Sequence, residues 1–200
     1  MDELIFNSLE PAENKRLKGL VTEGRLRKIA PRIYSADFST PTEVLVKRNL
    51  FRILNCLYPG ILVSHRSAFE IRPTNTNRLF LTYKYSRKIH FPGITLCLLK
   101  GIAPLEDDIK IGHLCASSKH RAFLENMQVS RNTGDDSKVL NADTLMEKLR
   151  NEIRIYGEDG LCHMLVQARY LSEELKMTNE YRKLEILANK LLPVASEQPE

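Results

Sequence analysis

The stretch LVSHRSAFE, residues 62–70, puts Ser64, His65, Arg66 and Ser67 in consecutive positions just after an apolar run. A serine beside a histidine raises acyl-transfer chemistry, in which the imidazole takes the hydroxyl proton and a third group holds the ring. Strand geometry speaks against it. Consecutive strand residues point to opposite faces, so Ser64 and His65 should not serve one another there. GxSxG, the strained elbow that would expose a serine, occurs nowhere. The pattern predicts instead a short buried strand over 61–63 running into a helical turn. Ser64 would cap that turn with its hydroxyl oxygen while Ala68 and Phe69 pack inward. His65 and Arg66 are then candidates for contact with a partner rather than for chemistry.

Other reactive patterns are missing. There is no GxxxxGK[ST], no GxGxxG after a strand and no HExxH. Asp107-Asp108 and Asp135-Asp136 read as solvated loop pairs, since no His or Glu is spaced around them as metal ligands require. The cysteines, Cys56, Cys97, Cys115 and Cys162, form no CxxC pair and read as buried free thiols. His113 and Cys115 could ligate zinc, but two ligands do not make a site. No catalytic residue, metal or cofactor is assigned.

Charge is the stronger signal. Residues 1–100 hold 17 Lys and Arg against 8 Asp and Glu, whereas residues 101–200 hold 13 against 17. A basic first half followed by an acidic second half points to a polyanion-facing surface and then a protein-facing one. The cations concentrate early: Lys15, Arg16, Lys18, Arg25, Arg27, Lys28 and Arg32. Phosphate contacts need such cations on one face, and a helix beside them adds side chains for base edges.

The elements that must position these residues follow from periodicity and breakers. Pro11 suits a first helical turn, Leu17, Leu20 and Val21 form an apolar stripe, and Gly24 ends the helix. Leu26-x-Lys28 and Ile33-Tyr34 then flank an Ala30-Pro31-Arg32 corner, a short hairpin. Thr40, Pro41 and Glu43 form a capping box for one helix over 40–58, with Val46, Leu50, Ile53, Leu54 and Leu57 as its core stripe and Pro59-Gly60 as its stop. Antiparallel strands are expected over 78–85 and 88–99, and another within 107–115. Ser117 or Ser118 caps a helix KHRAFLENM. The polar loop QVSRNTGDDSK is the best boundary, and three helical segments follow, broken at Gly157 and Gly160. The tail ASEQPE reads as frayed.

The run RKIAPRIYSADFSTPTEVLVKRNLFRILNCLYPGILVSHRSAFE, with LTYKYSRKIHFPGITLCLLKG, SSKHRAFLENMQVSR and GEDGLCHMLVQARYLSEEL, resembles the antitoxin-like domain of the AbiEi type. It is closest to the version at the N-terminus of some bacterial Fic proteins. The resemblance covers roughly residues 25–192. It implies a winged-helix unit that binds the system's own promoter, then a small α+β domain and helices that counter a nucleotidyltransferase toxin. Two departures stand out. Arg32 occupies the position after the wing proline where the family usually has glycine, and only some ten residues precede Pro11, too few for a full winged helix. The Fic signature HPFx[DE]GN is absent.

The expected architecture is therefore α+β. An abridged winged-helix unit (1–38) precedes a small antiparallel sheet with helices (39–130) and C-terminal helices (131–200). The expected function is that of a non-enzymatic, antitoxin-like transcriptional regulator. It would bind double-stranded DNA through the basic helix and hairpin and a protein partner through the rest. The alternative is a regulatory module of a Fic-type adenylyltransferase with no DNA role. No apolar run approaches the roughly 18 residues a bilayer span needs, and the start has acids where a leader wants cations. A cytoplasmic protein, with oligomerisation open, is the expectation.

Overall fold

The computed structural model describes residues 3–192, so the tail ASEQPE lies outside the described residues. The first unit is α1 (Pro11–Thr22) laid on a three-stranded antiparallel sheet of order β1-β3-β2: β1 (Ile5–Phe6), β2 (Arg27–Ala30) and β3 (Ile33–Ser35). Pro11 sits in the first turn, where its missing N–H is no loss. Gly24 at φ +71° turns the chain out of the helix, and the Arg25 N–H reaches back to the Leu20 carbonyl at 2.9 Å. Leu17, Leu20 and Val21 pack on Ile5, Leu26 and Tyr34. The helix and hairpin form as their spacing predicts. β1 does not show in the sequence, because two residues carry no period.

The helix expected over 40–58 is two helices, α2 (Thr42–Arg48) and α3 (Leu50–Leu57). Asn49 (φ −103°, ψ 15°) separates them. Its amide donates to the Leu45 carbonyl at 3.0 Å and to Glu3 Oε2 at 2.8 Å, the local back-bonding that makes Asn a poor interior helix residue. The capping box does not form either. Pro41 is the N-cap and no side chain caps it. Asp37 Oδ1 instead takes the N–H groups of Ser39 (2.8 Å) and Thr40 (2.9 Å), so the turn before the helix is an Asx turn.

The second sheet has six strands in the order β6-β7-β5-β4-β9-β8: β4 (Leu62–Val63), β5 (Arg78–Tyr83), β6 (Arg87–Phe91), β7 (Ile94–Lys100), β8 (Ile109–Ile111) and β9 (Leu114–Ala116). It is mixed rather than antiparallel, because β5 runs parallel to β7 and β4 parallel to β9. The segment 88–99 is a hairpin folded at Pro92-Gly93, and 109–116 is a second hairpin. A Cβ at Gly93 would lie 2.9 Å from Glu43 Cβ, so this turn packs tightly on α2. One sheet face, through Leu79, Leu81, Leu96 and Leu98, shares a core with Leu45, Val46, Ile53 and Leu54 of α2 and α3.

A short helix, α4 (Arg66–Glu70), follows β4. On the far side of the sheet stand α5 (Lys119–Asn126), α6 (Ala142–Glu174) and α7 (Thr178–Asn189). Phe123, Leu124, Leu149, Leu161, Leu165 and Leu184 belong to their common core. Ser118 caps α5, its oxygen accepting from the Arg121 N–H. α6 breaks at Gly157 (φ 74°, ψ −179°), which divides the helical segments where the sequence expects it. The loop at 128–138 is stitched to the sheet: Arg78 pairs with Asp136 at 2.8 Å, and the Arg66 N–H meets the Lys138 carbonyl at 3.0 Å. Among the described residues no helix is long and apolar enough to cross a membrane. Cys97 is buried and Cys115 half-buried, but Cys56 and Cys162 are exposed, against the expectation of four buried thiols.

Candidate functional site

Along α1 a residue every 100° puts Leu17, Leu20 and Val21 on the inner face and Lys15, Arg16 and Lys18 around the outer one. All three cations are exposed, as are Arg25, Lys28 and Arg32. Lys28 pairs with Tyr34 across the hairpin, and paired residues project to the same face. Tyr34 packs under α1, so Lys28 shares that side of the sheet with the helix. Exposed carboxylates attend two of the cations, Glu13 at 3.8 Å from Arg16 and Glu23 at 3.8 Å from Arg25. Pairs of this kind are weak and yield readily to a stronger anion.

Arg27 differs from the other six. It pairs with Ser35, projects to the opposite face, donates to the Thr40 carbonyl and lies 5.9 Å from the Phe38 ring centre. It ties the hairpin to the turn that opens α2.

At the hairpin tip, Arg32 has φ +68° behind Pro31. A proline followed by a positive-φ residue is the type II pattern, whose second position belongs to glycine. The chain meets that demand with glycine at two other Pro-X turns, Gly60 (φ +75°) after Pro59 and Gly93 (φ +72°) after Pro92. At the exposed tip it places an arginine there instead.

His65 and Arg66 lie inside the protein, 4% and 8% exposed. The Arg66 guanidinium meets both oxygens of Glu70 (3.0 and 3.3 Å) and the Gly134 carbonyl (3.0 Å), holding the 128–138 loop against α4. Ser64 does not cap α4. The N-cap is His65, with φ 56° and ψ −137° and no side-chain cap bond. That conformation overturns the strand argument, because at positive φ the chain no longer alternates. Ser64 Oγ and His65 Nδ1 are in fact 3.0 Å apart.

The proton positions follow from the neighbours. Lys138 Nζ can only donate, so the Gln128 atom it meets is Oε1, and the same oxygen stands 3.2 Å from His65 Nε2. Nε2 therefore carries the ring proton and Nδ1 accepts from the Ser64 hydroxyl. Burial lowers the His65 pKa and outweighs the nearby Glu125 carboxylate, so the ring is neutral. Serine, base and orienting group are in line, yet Ser64 is fully buried and presents its hydroxyl to no cleft. Ser67 is likewise interior, its oxygen accepting the Phe80 N–H at 2.9 Å.

Below this lies a charged cluster. Arg121, 2% exposed, bonds Asp108 Oδ2 (2.7 Å), Glu125 Oε1 (3.0 Å) and the Ile102 carbonyl (2.8 Å). Glu125 Oε2 accepts the His65 N–H and the Ser117 hydroxyl, each at 2.8 Å. Asp108 is thus buried and paired, not solvated as read from its loop. Asp135 and Asp136 anchor Arg66, Asn75 and Arg78. The i, i+4 pair Arg121/Glu125 was visible in KHRAFLENM as a helix-face ion pair; its burial was not. Among the described residues no group of three or more His, Cys, Asp or Glu could hold a metal ion. No family model and no curated protein matches this chain.

Proposed function

We propose that this chain is a non-enzymatic, antitoxin-like transcriptional regulator. It binds double-stranded DNA, its own promoter first, through α1 and the β2–β3 hairpin, and a protein partner through the rest of the molecule. The observation that carries the reading is the solvent-facing set Lys15, Arg16, Lys18, Arg25, Lys28 and Arg32, none of which is needed by the core. Lys28 shares its side of the sheet with α1, and Arg32 holds a backbone conformation that favours glycine. A duplex would meet α1 in the major groove and the hairpin tip at the flanking phosphates. The Ser64–His65 contact supports a structural role, since its hydroxyl is sealed inside.

The test is a mobility-shift series with the chain's own upstream DNA across salt. Six phosphate contacts would give a log–log slope of about −5. Absence of any complex at low salt would sink the DNA reading.

A further inference from the structure

We propose that two copies of this chain pair by docking the outward stripe of the second half of α6, residues 158–174, into a cationic groove on the sheet of the other copy. The groove, about 460 Å³, lies on the face of β5, β7 and β6 turned away from α2 and α3. The register Phe80↔Cys97↔Lys88 fixes that face. Its floor is apolar: Phe80, Cys97 and half-buried Leu99, with Val129 at the lip, 78% exposed. Arg78, Arg87, Lys88, Arg131 and Lys138 line it, and no lining residue is acidic. Asp136 neutralises Arg78 at 2.8 Å. The others leave an excess of positive charge around a floor whose open apolar surface comes from half-buried Leu99 and exposed Val129.

The same chain carries the complementary surface. Leu161, Met164, Leu165 and Ala168 face the core, so the helical period turns Asp159, His163, Val166, Tyr170 and Glu173 outward as one stripe. Its centre is apolar, with Val166 49% and Tyr170 67% exposed. Its ends are acidic, through Asp159 at one and Glu173 and Glu174 at the other. The one cation of this segment, Arg169, lies on the flank. An apolar centre with acidic ends fits an apolar floor with a basic rim, the helix-in-groove mode with anchors at i and i+4. A twofold pair satisfies both surfaces of both copies at once and closes. Single-stranded nucleic acid fits the groove less well, because buried Phe80 offers no ring face for a base to stack on.

Light scattering coupled to size exclusion, run on the full chain over a dilution series, tests this. The wild type should approach twice the 23.0 kDa monomer mass at high concentration. A groove variant (K88E/R131E) and a stripe variant (D159K/E173K) should each weaken pairing by more than about tenfold, with helix content unchanged by circular dichroism. Mixed in equal amounts they should pair again, because each supplies a surface that complements one on the other. A wild type that stays monomeric, variants that still pair, or folded variants that do not recover on mixing would each overturn the proposal. So would a groove variant that stays dimeric and loses only DNA affinity.

Discussion

Replacing Arg32 by glycine separates the conformation of the hairpin tip from its charge. The position has φ +68° and an exposed side chain. A left-handed conformation costs a residue with a Cβ about 1–2 kcal/mol, which glycine does not pay. Glycine gives back about 0.5–1 kcal/mol through its larger freedom in the unfolded chain. The net expectation for R32G is therefore a stability gain between about zero and 1.5 kcal/mol, or at most about 6 °C in Tm for a domain of this size. Binding should move the other way. Losing one phosphate contact lowers the magnitude of the log–log salt slope by about 0.9. Over a fourfold rise in salt the variant should then lose about threefold less affinity than wild type, from a weaker start at low salt. R32K should keep the wild-type slope. Thermal unfolding and fluorescence anisotropy on promoter DNA read the two effects independently. A large fall in Tm would mean that Arg32 is a structural contact. An unchanged slope would mean that its charge faces no phosphate, and the argument from its conformation to DNA would fail.

Lys28→Ala should weaken DNA binding and leave Tm nearly unmoved, whereas Arg27→Ala should lower stability by about 1 kcal/mol through loss of its bond to the Thr40 carbonyl; unfolding curves that rank the two the other way would refute the face assignment. Arg121→Met leaves Asp108 and Glu125 buried without their cation, so urea unfolding should show a loss of about 3–5 kcal/mol. Burial depresses the pKa values of both His65 and His120, so the unfolded chain binds protons first as pH falls. Stability should hold above about pH 6.5 and decline below it, by up to about 1.4 kcal/mol per pH unit for each histidine. His65→Gln should flatten that decline, and a slope of unchanged steepness would refute the assignment.

Local periodicity and breakers made much of the fold legible. The stripe Leu17, Leu20, Val21 marks α1, the Pro31-Arg32 corner marks the β2–β3 hairpin, and Gly157 marks the break in α6, each because a few residues impose a backbone state. What failed depends on partners distant in sequence. Asn49 divides the helix over 40–58 partly because Glu3 takes its second amide proton, 46 residues away. The parallel pairing of β5 with β7 depends on how chain crossings pack, which alternation does not encode. The same holds for charge. Seven early cations looked equivalent as a list, yet the register Arg27↔Ser35 and Lys28↔Tyr34 sends one of two neighbours toward α2 and the other toward α1.

The Ser64–His65 pair shows why side-chain type alone could not settle its role. Neither residue signals a positive φ, and without it the alternation argument holds. His65 adopts φ 56° and ψ −137°, a region nearly confined to glycine that costs of order 1–3 kcal/mol. The surrounding bonds hold it there. Its N–H goes to Glu125, its ring to Ser64 and Gln128, and the next N–H to the Lys138 carbonyl. Glu125 belongs to α5, Gln128 and Lys138 to the loop that leads into α6, and Ser64 to the end of β4. The strained residue is thus the joint at which the sheet, α5 and the 128–138 loop meet. A serine–histidine contact of catalytic geometry has become an internal fastening, because the fold closes over the hydroxyl. On the proposed reading, function lies on surfaces the core does not use, among them α1 with its exposed cations and the tip of the β2–β3 hairpin.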